Sequence, residues 1–225
     1  MNNSVSNTAR LIGAGLRALL VLTVICGVLY PLAVTGIAQA LFDNKANGSE
    51  IKDESGRVVG SSLIGQSYNL PKQNPDDPEE AAEPDLKWFQ PRPSNGLGSN
   101  SVNQQYSLVL SGATNKAGDN PDLVKLVEDA KAAVIADNST ATYKVEPSDV
   151  PADAVTSSGS GLDPNISPEY AKIQVHRVAE QNGLDVQQVE KLVAKYTTGR
   201  TLGFMGEPRV NVLELNTALK ALTKS

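Results

Sequence analysis

Few side chains in this sequence are of the types that carry out chemistry. The chain has one histidine, His176, and one cysteine, Cys26. A zinc site needs several such ligands, and a serine nucleophile needs a base within hydrogen-bond reach. The sequence also lacks a Walker A lysine motif, a G-x-G-x-x-G run and a G-x-S-x-G elbow. We therefore expect no catalytic residue and no metal ligand, and interpret His176 as a structural or surface residue.

Two segments rich in small residues have the composition of anion-binding turns. Thr156 to Ser167 reads TSSGSGLDPNIS, directly ahead of a predicted helix, and Ser111 to Asn115 reads SGATN. Free N–H groups at the start of a helix suit a phosphate, although such turns also serve only to shape the backbone. No firmly bound cofactor is expected. The weak candidates for cofactor binding are Ser111, Gly112, Asn115, Gly161 and Ser167.

One long apolar stretch dominates the first fifth of the chain. No charged residue occurs from Ala18 to Phe42, and about 20 apolar residues cross a bilayer as a helix. We predict a short tail over residues 1–17, a membrane helix over 18–42 and one soluble domain over 43–225. The alternative is a signal peptide: Ala38-Gln39-Ala40 has the form of a cleavage site. Cleavage after Ala40 would release a secreted soluble enzyme or binding domain.

Several residues in the apolar stretch suit packing against another membrane helix. Small residues spaced three and four apart let two backbones approach closely, and polar side chains can hydrogen-bond across the interface. Pro31 removes a backbone N–H and predicts a kink. The alternative is that these residues are scattered along a lipid-facing helix. The candidate partner-interface residues are Pro31, Ala33, Thr35, Gly36, Gln39 and Ala40.

The soluble part predicts an α+β fold that is rich in helices and contains a small β-sheet. Residues 57–66 read as a strand or hairpin, and the acidic, proline-rich stretch at about 70–93 reads as an exposed loop. Trp88 and Phe89 within it should pin the loop to the core. A short strand or helix end is predicted over 106–110.

Helix boundaries are marked by capping residues. We predict one helix after Asn120-Pro121, a second from Ser167-Pro168 to Gly183, and a third from Asp185 with Gln188 as its capping box. Asn211 and Glu214 form a similar pattern before a last helix. The apolar face of the first of these helices is expected to comprise Leu123, Leu126, Val127, Ala130 and Val134.

Charge and cysteine content restrict the possible partners. The formal net charge is −5, which argues against a nucleic-acid partner, since that requires a concentrated basic surface. Cys26 lies in the apolar stretch, so the soluble part has no disulfide. Arginines and lysines flank both ends of that stretch, so their count does not orient the helix.

Short motifs spread in order along nearly the whole chain match one family. The matching pieces are Tyr30-Pro31-Leu32, Ala46 to Ser49, Gly60 to Gln66, Arg92-Pro93-Ser94, Ser111 to Asn115, Asn120 to Leu123, Ser160 to Pro168, Arg177-Val178-Ala179 and Val210 to Asn216. In these pieces the chain resembles the C subunit of Kdp-type potassium-transporting ATPases. An acidic elaboration at 74–85 and Pro91, where a glycine is more typical, depart from the family pattern.

The resemblance implies a non-catalytic accessory subunit of an ATP-driven potassium uptake complex. It implies that the apolar stretch is retained as a single-pass anchor in the inner (plasma) membrane, and we expect the soluble domain on the outer, periplasmic side. The implied partners are membrane lipid, a channel-like potassium-translocating subunit and a P-type ATPase subunit. The implied role is assembly and stability, with a proposed increase in the ATP affinity of the P-type subunit. A nucleotide-binding chaperone acting from the cytoplasmic side is the competing hypothesis, and ATP is implied by the resemblance alone.

Overall fold

The structure is a computed structural model that describes residues 3–74, 80, 82–94, 111–113 and 115–223. It divides into two compact units, residues 1–49 and 50–225. The predicted element at 106–110, the acidic residues at 75–79 and Thr114 lie outside the described residues.

The first unit is a long helix with one widened turn. Helix α1 covers Asn3–Val24, a π-helical turn covers Ile25–Leu29, and α2 covers Tyr30–Leu41. The Tyr30 N–H donates to the Ile25 carbonyl, one residue further back than in an α-helix. Pro31 follows at once and has no N–H to donate, which explains why the regular ladder is interrupted here.

The long helix extends well beyond the apolar stretch at its amino end. Helical residues begin at Asn3, so the segment predicted as a tail is largely helical. The 38 residues from Ser4 to Leu41 form a helix apolar and long enough to cross a membrane. At 1.5 Å per residue such a helix is about 57 Å long, roughly twice the thickness of a hydrocarbon core. A short helix, α3, covers Asp43–Ala46.

The second unit begins with a hairpin, of which the second strand lies in the predicted segment 57–66 and the first strand precedes it. Strand β1 covers Glu50–Lys52 and pairs antiparallel with β2, Val58–Ser61. The Asp53 carboxylate closes the connecting turn by accepting hydrogen bonds from Ser55 and Arg57. These hydrogen bonds, the one from the Ser55 hydroxyl above all, lower the pKa of Asp53 to about 2.

Four helices and a second small sheet complete this unit among the described residues. The sheet is antiparallel in the order β3-β5-β4. The bounds are α4 Pro121–Asn138, β3 Asn165–Ile166, α5 Pro168–Asn182, α6 Val186–Tyr196, β4 Thr197–Thr198, β5 Arg209–Asn211 and α7 Val212–Thr223, with a 3₁₀ turn at Ala152–Ala154.

The helix caps follow the sequence prediction closely. Asn120 accepts hydrogen bonds from the first turn of α4, and Ser167 caps α5. Gly183 ends α5 with φ +64°, and Asp185 forms a capping box with Gln188 at the start of α6. Such caps satisfy N–H and C=O groups that a helix leaves unpaired at its ends.

The core lies where α5 and α7 pack against the second sheet. Fully buried apolar residues come from these helices, from α6 and from β5. Phe89 and Tyr68 are also completely buried, which confirms that the loop around Trp88 is pinned to the core. One position of the predicted α4 face is wrong. Leu126 is 53% exposed, because only the carboxyl end of α4, around Val134 and Asn138, reaches the core.

Candidate functional site

The candidate partner-interface residues lie on α2. Pro31, Ala33, Thr35, Gly36, Gln39 and Ala40 are all exposed. Space beside Gly36 is open, since a Cβ built there would meet no atom within 4 Å. This small-residue face therefore makes no contact inside its own unit that would explain its composition.

Pieces of the resemblance that are far apart in sequence converge in the second unit at one loop cluster. Arg92 Nη1 lies 3.2 Å from Asp163 Oδ2 in a half-buried ion pair. The same guanidinium donates to the carbonyls of Thr156 and Ser157, each at 3.3 Å. Ser94 donates to the Gly161 carbonyl at 2.5 Å. We call Arg92, Ser94, residues 111–112 and residues 156–163 the motif cluster.

Three of the five cofactor candidates meet in the motif cluster. The Ser111 hydroxyl and the Gly112 N–H both donate to the Ser160 carbonyl, at 3.1 and 2.9 Å. Gly161 has φ +69°, and a Cβ there would lie 2.7 Å from the Gly112 carbonyl oxygen. The close approach of the two segments therefore requires glycine at this position. Asn115 is separate from these contacts, since its amide donates to the Ala113 carbonyl.

The fifth candidate, Ser167, lies at the amino end of α5, beside a carboxylate. Its N–H and its hydroxyl donate to Asp153, at 2.7 and 2.8 Å. Its hydroxyl also accepts the Tyr170 N–H at 3.0 Å. An acidic side chain is stabilised by the positive end of the helix dipole. Asp153 thus supplies from within the chain the negative charge that this helix end favours.

Buried amide side chains hold the segment before Arg92. Asn216 accepts the Phe89 N–H and donates to the Phe89 carbonyl, both at 2.9 Å. Gln174 accepts the Gln90 N–H at 2.7 Å and donates to the Gln90 carbonyl at 3.1 Å. These paired bonds replace the ladder that a neighbouring strand would supply. They fix the backbone that carries Arg92 and Ser94 into the motif cluster.

The guanidinium of Arg177 completes this support. It is 2% exposed, and it donates to Asn138 at 2.8 Å, to Gln174 at 2.7 Å and to the carbonyls of Leu86 and Trp88. Burial lowers the pKa of Arg177 to about 10, opposed by the nearby Tyr170 and by negative charge on Asp137 and Asp85. A buried cation with this many acceptors holds loop and helix in one arrangement.

A cleft of about 180 Å³ opens beside this network. Its lining includes Gln90, Asp137, Tyr170 and Arg177, with proline and alanine walls. Burial raises the pKa of Asp137, and the Arg177 charge opposes that shift. Of its polar lining residues, Gln90 and Arg177 already take part in the hydrogen bonds that hold residues 86–90.

Arg177 and Asn216 lie within motifs of the resemblance, whereas Gln174 lies in none of them, and the sequence motifs assign a role to none of the three. Gln174, Arg177 and Asn216 occupy positions that follow the apolar spacing of α5 and α7. Polar residues on the buried face of a helix are the signal that could have found them, because such groups must be hydrogen-bonded. His176 is stacked on Tyr143, with ring centroids 4.1 Å apart, in keeping with a structural role.

Comparison with known proteins places the chain in a family. The family "KdpC: K+-transporting ATPase, c chain" matches residues 12–221. The potassium-transporting ATPase KdpC subunit of Streptomyces avermitilis is 74% identical, covering 99% of this chain and 98% of that protein. Its counterpart from Streptomyces coelicolor is 66% identical, covering 99% and 97%. That of Kineococcus radiotolerans is 44% identical, covering 98% of each.

The matches span the long helix and the domain together, including the motif cluster and its support. They confirm the resemblance drawn from the short motifs, and they do not favour release of a secreted enzyme or binding domain after Ala40. The chain belongs to the KdpC family and is a subunit of a potassium-transporting ATPase complex.

Proposed function

We propose that this chain is a non-catalytic accessory subunit that assembles and stabilises its complex. In this proposal α2 packs on the channel-like, potassium-translocating subunit and the P-type subunit joins the same assembly. The observation that supports this proposal is the exposed small-residue face of α2. The apolar window of the long helix has none of its residues buried within the chain, and Gly36 has open space beside it.

A helix face of this kind gains stability only from an outside partner. Between membrane helices, association depends on close packing and on hydrogen bonds rather than on the hydrophobic effect. Ala33, Gly36 and Ala40 permit that close approach, while Thr35 and Gln39 provide groups that can bond across it. The widened turn at 25–29 precedes this face and can direct it away from a straight helix path.

The experiment replaces Gly36 by leucine and purifies the complex through a tag on the channel-like subunit. Gly36→Leu should reduce the amount of this chain recovered with its partners and reduce potassium uptake by the cells. Gly15→Leu is the matched control, since Gly15 also has open space beside it but lies outside the predicted membrane segment. Equal recovery and uptake for wild type and Gly36→Leu would contradict the proposed contact.

An increase in the ATP affinity of the P-type subunit is the second part of the proposal, and it comes from the family resemblance. The observation that favours a shared role is the meeting of Ser111, Gly112 and Gly161 in one cluster. Their N–H and hydroxyl groups already donate within the chain. An effect on ATP affinity is therefore proposed to act through the shared partners, without a firmly bound nucleotide on this chain.

A further inference from the structure

An apolar loop tip projects from the otherwise well-packed second unit. It lies between β4 and β5 and consists of Leu202, Phe204 and Met205, which are 79%, 71% and 52% exposed. We call these three side chains the apolar tip. Large apolar side chains grouped at the end of a hairpin are a recognised mark of an interaction surface.

The backbone of the tip is a formed turn. Thr201 and Met205 exchange two backbone hydrogen bonds of 2.9 Å, and the Phe204 N–H donates to the Thr201 carbonyl. Leu202 and Gly203 have φ +54° and +82°, the sign that a type I′ turn requires at both central positions. Leucine is disfavoured in that conformation, where asparagine or glycine is usual. Local folding therefore does not explain why a leucine stands at this exposed position.

Charge around the tip differs in sign from the chain as a whole. Residues 186–211 contain four basic and two acidic residues, whereas the chain carries a formal charge of −5. Lys191, Lys195, Arg200 and Arg209 are exposed. Arg200 pairs with Glu207 at 2.6 Å across the base of the loop. Exposed apolar residues next to basic ones match the boundary between the acyl chains and anionic headgroups of a bilayer.

The covalent connection limits how far the start of the domain can lie from the end of the long helix. Nine residue steps separate Leu41, the end of α2, from Glu50, the start of β1, and they span at most about 32 Å. Tethering raises the effective concentration of the lipid surface, so a small set of inserted side chains is sufficient for binding. This step rests on the membrane insertion of the long helix that the proposed function requires.

We propose that the apolar tip inserts into the anionic lipid surface next to the membrane anchor, with its basic neighbours at the headgroups. Leu202, Phe204 and Met205 then lie at the headgroup–acyl boundary, about 5–10 Å deep. The contact holds the soluble domain against the bilayer independently of any partner subunit. It applies on whichever side of the membrane the domain lies.

Spin labels on single cysteines test the insertion in the purified complex and in the full chain alone. Both are placed in lipid nanodiscs made of equal amounts of phosphatidylglycerol and phosphatidylcholine. The wild-type label at Cys26 reports whether the long helix is inserted. Phe204→Cys in a Cys26→Ser background reports on the tip, and Leu126→Cys in the same background is the control, since Leu126 is apolar and 53% exposed on α4. The measurement is collision with oxygen, which enters the bilayer, and with a polar nickel complex, which does not.

The expected result is that the label at 204 collides with oxygen and loses collision with nickel, whereas the label at 126 collides with both. In nanodiscs of phosphatidylcholine alone the label at 204 should regain nickel collision. Equal behaviour at 204 and 126 would overturn the proposal while the Cys26 label still showed an inserted helix. Protection of 204 from both probes in the complex, with free access in the chain alone, would instead show a pocket on a partner subunit. Nickel exclusion that persists without anionic lipid would overturn the assignment to an anionic surface.

Discussion

At the scale of single residues, the domain depends on polar side chains that are buried with their partners. Gln174 and Asn216 each hold both backbone groups of one loop residue, and Arg177 collects two carbonyls and two amide oxygens. Removing one member of such a set leaves its partners buried without that hydrogen bond. The resulting loss of folding free energy is larger than the stability that the whole set provides relative to well-packed apolar residues.

Replacing Arg177 by alanine should lower the free energy of unfolding by about 3–5 kcal/mol, since it removes the donor shared by Asn138, Gln174 and two carbonyls inside the core. Urea unfolding followed by the fluorescence of Trp88, the one tryptophan, measures this. Arg200→Ala is the matched control, because Arg200 forms an exposed ion pair and its loss should cost at most about 1 kcal/mol. If Arg177→Ala yields no folded protein, Arg177→Lys provides a graded comparison. Equal stability of the Arg177 and Arg200 variants would contradict the role of the buried network.

Tyr68 is the converse case, a buried polar group for which the described residues provide no hydrogen-bond partner. Its hydroxyl makes no hydrogen bond among the described residues, although the Asn216 side chain lies near it. Tyr68→Phe should therefore raise the free energy of unfolding at neutral pH, by about 1 kcal/mol. Tyr196→Phe, at a part-exposed ring, is the control. A clear loss of stability in Tyr68→Phe would show that the hydroxyl has a partner after all.

The same tyrosine predicts a pH dependence. Burial raises the pKa of Tyr68 above its usual value of 10.0. In alkaline solution the unfolded chain then ionises first, so the stability present below pH 10 is lost as the pH rises above it. The slope approaches about 1.4 kcal/mol per pH unit for one such group. Tyr68→Phe should weaken this alkaline loss, relative to wild type, in urea unfolding at several pH values.

At the scale of elements, the sequence predicts helix ends from their capping residues, but it does not predict which strands pair when they are distant in sequence. Asn120, Ser167, Gly183 and Asp185 each mark a helix end by a local pattern, and each does so in the structure. Strands β3 and β5 are two and three residues long, and Asn165 pairs with Asn211 across 46 positions of sequence. Segments that short are too brief to show a hydrophobic period. The sequence therefore predicts a small sheet but not the order of its strands.

The motif cluster shows the same limit. The sequence predicts that Ser111, Gly112 and Gly161 are weak candidates for cofactor binding, because all three lie in turn-forming segments. Their contact is made possible by Arg92 and by the buried residues behind it. Hydrogen bonds between residues so far apart produce no periodic pattern in the sequence, so the sequence does not predict them.

Gly161 gives a test at this scale. Gly161→Ala adds a Cβ 2.7 Å from the Gly112 carbonyl oxygen at φ +69°, so it should destabilise the domain by about 1–3 kcal/mol. Gly159→Ala is the matched control two residues away, where nothing lies within 4 Å. Urea unfolding compares the two. Equal free energies of unfolding for the two variants would mean that the close contact between residue 112 and this turn does not affect the stability of the domain.

At the scale of the whole molecule, the chain combines one long apolar helix with one packed domain. Family membership makes it a subunit of a potassium-transporting ATPase complex. The side of the membrane on which the domain lies stays a prediction, because basic residues flank both ends of the apolar stretch.

Labelling in intact cells tests the predicted outer location. Ser157 is exposed in the motif cluster, so Ser157→Cys in a Cys26→Ser background offers one accessible thiol. A membrane-impermeant maleimide should label it in intact cells as completely as in lysed cells. Labelling after lysis alone would place the domain in the cytoplasm and favour the competing nucleotide-binding chaperone.

The way residues 86–90 are held also bears on which substitutions that stretch tolerates. Its anchors recognise main-chain atoms: the N–H and carbonyl of Phe89 and Gln90, and the carbonyls of Leu86 and Trp88. None of those hydrogen bonds calls on a main-chain donor at position 91. A proline, which has no such donor, is therefore compatible with the way this stretch is held. Substitutions in this stretch are thus limited by the buried Phe89 side chain, whereas the amides and guanidinium opposite it recognise main-chain atoms that other residue types also carry.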